Sequence, residues 1–70
     1  MSKFYKAAIS HWEAQRDNAI ATLELYFLKS VGIGEHPDII GAIDEQLNLL
    51  TQAEEKLQAV EHHFTPDRVI

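Results

Sequence analysis

Val31-Gly32-Ile33-Gly34-Glu35-His36-Pro37 is the one stretch where two glycines and a proline fall together. Gly32 lacks a Cβ and can take the left-handed conformation that closes a helix. Ile33 follows where a helix-terminating motif often carries an apolar residue that packs back on the last turn. Gly34 adds freedom for a reversal. Pro37 suits the first turn of a new helix, where its missing N–H costs nothing. Asp38 then stands beside the positive end of that helix's dipole. The stretch reads as a hinge that folds two helices into an antiparallel hairpin, with a helix over about 3–31, a turn over 32–36, a second helix over 37–64 and a tail over 65–70.

Upstream of the hinge, apolar residues recur at Tyr5, Ile9, Trp12, Ala19, Ile20, Leu23, Tyr26, Phe27 and Val31. Their gaps are mostly threes and fours, the signature of one helix face. Arg16 falls inside this stripe, and its stem is expected to pack along the seam while the guanidinium reaches an acid or water. Downstream the pattern is stricter: Ile39, Ile43, Gln46, Leu50, Ala53, Leu57, Val60 and Phe64, with gaps alternating four and three. That is a heptad-like seam whose one polar member is Gln46. Thr65-Pro66 ends it, since proline cannot continue a helix.

A turn near Gly34 sets residues whose numbers sum to about 68 opposite one another in two helices of ~42 Å. Trp12 then lies near Leu57, Ile9 near Val60, and Arg16 near Glu54 or Glu55, its expected cross-helix partners. Each helix also carries apolar residues beyond a single seam: Ile40, Leu47 and Leu49 on the second, Phe4, Leu25 and Leu28 on the first. Contiguous exposure on that scale exceeds what a monomer usually tolerates. The expected assembly is a homodimer, two hairpins forming a four-helix bundle, with Ile40, Leu47, Leu49, Leu50 and Leu57 as interface candidates.

The chain has 70 residues, 46% of them hydrophobic, and a formal charge of −5 from 11 acidic and 6 basic side chains. One domain is expected. The acidity argues against a nucleic-acid binder and against adhesion to anionic membranes. The acids are interspersed with Lys3, Lys6, Arg16, Lys29, Lys56 and Arg68, so no regular acidic array mimics a nucleic acid. No apolar run approaches the roughly 20 residues of a membrane span, and Met1-Ser2-Lys3-Phe4-Tyr5-Lys6 lacks the features of a signal peptide. A cytoplasmic location is expected. There is no cysteine, so neither a disulfide nor a thiolate metal site is available.

Chemistry-bearing residues are sparse. Ser10, Ser30 and Thr51 have no histidine and acid set as a triad requires. Gly32-x-Gly34 follows a helix rather than a strand and lacks the lysine of a phosphate loop. Glu13 and Asp17, Asp44-Glu45 and Glu54-Glu55-Lys56 do not form the paired Glu-x-x-Glu or Glu-x-x-His sets of helical carboxylate enzymes. A non-catalytic protein with no cofactor is expected, acting through an unidentified protein partner. The alternative is a metal-binding bundle using His11, His62 and Glu61, with His63 beside them; His36, at the start of the second helix, reads as a cap or as exposed. His62 and His63 are adjacent and point about 100° apart on a helix, which does not suit a shared ion.

The run Val31-Gly32-Ile33-Gly34-Glu35-His36-Pro37-Asp38-Ile39-Ile40, with Trp12-Glu13 upstream and His62-His63-Phe64 downstream, resembles a family of short uncharacterised proteins of marine cyanobacterial phages and related marine sequences. The resemblance implies the hairpin, a phage origin and the host cytoplasm, and carries no site residue. The shape is also similar to that of the small phycobilisome-degradation adaptors of cyanobacteria, which dimerise as helical hairpins. That likeness is in architecture only; no motif is shared and the function is not transferred.

Overall fold

A computed structural model of the protein describes residues 2–28 and 38–64. The turn residues Gly32, Gly34 and Pro37, the expected helix end at Val31 and the tail from Thr65 lie outside them. The described chain is two helices, α1 (Lys3–Leu28) and α2 (Ile39–Phe64), of 26 residues each, packed against one another. Among the described residues there is no strand.

Both helices start on a side-chain cap. Ser2 precedes α1: its Oγ accepts from Phe4 N–H at 3.0 Å, and its carbonyl accepts from Tyr5 N–H at 3.2 Å. Asp38 precedes α2: its Oδ1 accepts from Gly41 N–H at 2.8 Å, and its carbonyl accepts from Ala42 N–H at 3.2 Å. Asp38 is the capping residue itself, at the positive end of the dipole where the sequence put it, and α2 begins at Ile39, two residues later than the sequence suggested. An N-cap carboxylate satisfies an amide that the helix leaves unpaired. Gly41 makes that cap tight. A Cβ there would collide with the Asp38 carboxylate, whose Cγ would lie 2.7 Å away.

The register is the one expected of a turn near residue 34. The Lys56 ammonium lies over the Trp12 ring, 5.0 Å from its centroid. Residue numbers 12 and 56 sum to 68.

Where the helices meet, the chain places small side chains. Ala53 is 0% and Ala19 1% exposed, and Leu23 and Leu57 complete the buried set. Alanines let two backbones approach closely, because helix separation is set by the side chains at the contact. Tyr5, Ile9, Trp12, Arg16 and Tyr26 on α1, and Ile39, Ile43, Gln46, Leu50 and Val60 on α2, are half-buried along the same seam. Phe27 and Phe64, which the spacing put in the stripes, are exposed.

Candidate interaction surface

Antiparallel geometry gives a simple rule for the flanks. Both helices are right-handed and run in opposite directions, so the residue that follows a seam residue turns toward the same side of the hairpin on either helix. Ile20 follows Ala19 and Phe27 follows Tyr26. Ile40 follows Ile39 and Leu47 follows Gln46. All four fall on one flank, in the half nearer the turn. They are exposed by 38% (Ile20), 61% (Phe27), 75% (Ile40) and 40% (Leu47).

The interface candidates from the sequence therefore divide. Ile40 and Leu47 share this flank, and Leu50 is half-buried at its inner edge. Leu49 precedes a seam residue and lies on the other flank, exposed. Leu57 is buried within the hairpin's own seam. Two residues apart on a helix are about 200° apart, so Leu47 and Leu49 do not serve one flat surface.

Farther from the turn the same flank is charged. Arg16, Glu54, Leu57, Gln58 and Glu61 line a shallow open depression there. The Arg16 Nε donates to Asp17 Oδ1 at 2.9 Å, so its bond goes to its sequence neighbour and not across the seam to Glu54 or Glu55. That hydrogen bond raises the guanidinium pKa; partial desolvation opposes it, and the charges of Asp17, Glu13 and Glu54 add to it. Glu54 is thus an electrostatic neighbour without being the bonded partner. Glu55 lines a different depression on the outer face of α2, with Gln58, Ala59, His62 and His63.

The histidines are not gathered. His11 sits edge-on to Trp12, ring centroids 4.7 Å apart, and His62 stands likewise against His63. Among the described residues no three of His, Cys, Asp and Glu come together closely enough to hold a metal ion. His36 lies outside the described residues. No helix among them is long and apolar enough to cross a membrane.

One feature escaped the sequence reading. Gln46 Oε1 is buried in the seam with no hydrogen-bond partner. The heptad spacing located Gln46 in the seam but could not reveal that its carbonyl oxygen meets no donor. Leu25 and Leu28, which the sequence set outside the seam, line a further depression on α1 with Ala21 and Glu24. Its signal was the recurrence of Ala7, Ala14, Ala21 and Leu28 at sevens.

No protein-family model, curated protein or solved structure matches the chain.

Proposed function

We propose that the chain is a small non-catalytic interaction module that pairs with a second copy of itself as a four-helix bundle and docks on a protein partner. One observation carries this reading: beside the seam, the large apolar residues Ile20, Phe27, Ile40 and Leu47 stand exposed on one flank. A chain this short, with no cysteine to form a disulfide, gains stability most readily by association.

The two ends of the bundle then have different roles. The turn-proximal flank serves self-association. Phe4 and Phe64, whose numbers also sum to 68, are exposed at the free end and supply aromatic anchors for a partner. The resemblance to marine phage proteins is what supports a phage origin and the host cytoplasm as the place of action.

Sedimentation equilibrium with helical circular dichroism across a concentration series tests the assembly. A dimer that gains helix stability with concentration is expected. A chain that stays monomeric and fully helical at micromolar concentration overturns the reading.

A further inference from the structure

We infer that the side of α1 opposite α2 is a second self-association face, which pairs with the same face of another copy as two parallel helices in register. This goes beyond the flank pairing proposed above and does not rest on it. Two residues on from a seam residue is about 200° round the helix, on its opposite side. On α1 that step leads from Tyr5, Trp12, Ala19 and Tyr26 to Ala7, Ala14, Ala21 and Leu28. From Ile9, Arg16 and Leu23 it leads to His11, Asn18 and Leu25. All seven are exposed, and none is Asp, Glu, Lys or Arg. Phe4 extends the series at the free end and is 88% exposed. The same step on α2 reaches Glu45, Asn48, Gln52, Glu55 and His62, with Gly41 and Ala59. That is a face made for water. The face of α1 is not.

From Phe4 to Leu28 the gaps of this series alternate three and four, the spacing of a coiled-coil seam. Its alanines let a second helix come close. Leu25 and Leu28, 53% and 77% exposed, supply large apolar surface at the turn end. They line a depression there with Ala21, and Glu24 stands at its edge. Asn18 is the polar member near the middle. A polar residue at one such seam position fixes register by meeting its own copy, which requires parallel helices. Phe4 and His11 then meet their own copies as well, and the aromatic free ends of two chains lie side by side.

The charges beside the series select the same orientation. One border holds Lys3, Ser10, Asp17 and Glu24; the other holds Ala8, Gln15 and Thr22. In a parallel pair each border meets the opposite one. Lys3 comes beside the partner's Ala8 and Asp17 beside the partner's Thr22, and no acid of the described residues meets another. In an antiparallel pair with full overlap each border meets its own kind. Asp17 then stands beside the partner's Asp17, and Asn18 lies over the partner's Ala14. Sliding that pair by a heptad either leaves Leu25 and Leu28 uncovered or sets Asp17 against the partner's Glu24. Alanine buries little apolar area, so this contact forms at higher concentration than the flank pairing and joins one dimer to the next.

The chain has no cysteine, so introduced thiols report on geometry without background. Asn18→Cys and Ala14→Cys chains are mixed in a glutathione redox buffer, and the disulfides are assigned by mass. Bridging requires Cα atoms within about 7 Å. The expected products are 18–18 and 14–14, with little 14–18. A dominant 14–18 product overturns the parallel orientation. Asn48→Cys, on the solvated face of α2, measures bridging by chance encounter; an Asn18→Cys chain that bridges no faster overturns the face itself. Sedimentation of Ala14→Glu gives a second readout, since position 14 is exposed and glutamate is a good helix former. Wild type is expected to grow beyond the dimer as concentration rises, while Ala14→Glu stops at the flank dimer. Identical behaviour of the two overturns the inference. Fast 18–18 bridging in a protein that Leu47→Glu leaves unchanged supports this face and removes the flank reading alone. Circular dichroism of each variant shows that it is helical before oxidation.

Discussion

The seam between the helices and the flank beside it are built from opposite materials. The seam is closed by Ala19 and Ala53, with Leu23 and Leu57 on either side. The flank one residue farther round carries Ile20, Phe27, Ile40 and Leu47, all larger than alanine and all exposed. A self-sufficient helical monomer would put its bulk inside, since burial of large side chains is its main source of stability. Here Leu23 and Leu57 are buried with the alanines and Trp12, Ile43 and Leu50 are half-buried, yet four further large apolar residues stand outside the seam. The difference teaches that the hairpin's own seam does not cover all of its apolar bulk.

Leu47→Glu is expected to break that division most sharply. It sets a carboxylate in the turn-proximal half of the flank, where no lysine or arginine of the described residues is placed to meet it. The dimer should weaken by several kcal/mol, because an unpaired buried carboxylate is costly. Burial disfavours the charged form and so raises the introduced group's pKa. The neutral acid is the form compatible with the interface, so acidification toward that raised pKa should restore association, and raising the pH should abolish it. Sedimentation of the mutant between acidic and neutral pH checks both halves of this expectation.

Leu57→Ala attacks the seam instead. Truncating a buried leucine removes its transfer energy and leaves a partial cavity, about 2–3 kcal/mol here. The loss should appear in thermal unfolding at every protein concentration. If Leu47→Glu and Leu57→Ala shift unfolding identically and neither depends on concentration, seam and flank are not distinct.

Gln46→Met moves the other way. The buried Oε1 has no donor, and an unsatisfied buried acceptor costs about 1–3 kcal/mol. Replacing the amide with a thioether of similar length should stabilise the hairpin by about 1 kcal/mol in urea denaturation. A destabilised Gln46→Met protein would show that the amide finds a donor in the assembled state. Asp38→Ala is the smallest change: losing the cap on α2 should cost about 1 kcal/mol or less, seen as increased amide exchange in the first turn of α2 while the far end is unaffected.

Much of the hairpin was legible in the sequence because both helices repeat their apolar residues in threes and fours, and because Trp12 and Lys56 meet at the separation that a turn near Gly34 dictates. What was not legible has physical reasons. The start of α2 depends on whether Asp38 caps or follows the first residue, a choice made by one hydrogen bond to Gly41. Phe27 shares its spacing with the seam but is 61% exposed; spacing marks a helix face and does not say how wide a strip of it the other helix covers. Arg16 was given a partner across the seam because residue numbers opposed it to Glu54. Its neighbour Asp17 is reached at once, without ordering a second helix, and takes the bond.

The Trp12–Lys56 contact also bears on the order of events in time. The chain's one tryptophan sits in the half of the hairpin farthest from the reversal, where closure requires the longest loop. Pairing near the turn closes short loops and is the faster step; pairing at the far end comes with a larger entropic penalty. Trp12 fluorescence therefore reports the final zippering of the two strands of helix, while far-UV dichroism reports helix as it accumulates everywhere. A lag between the two signals in a refolding trace would give the direction in which this molecule closes, with no label added.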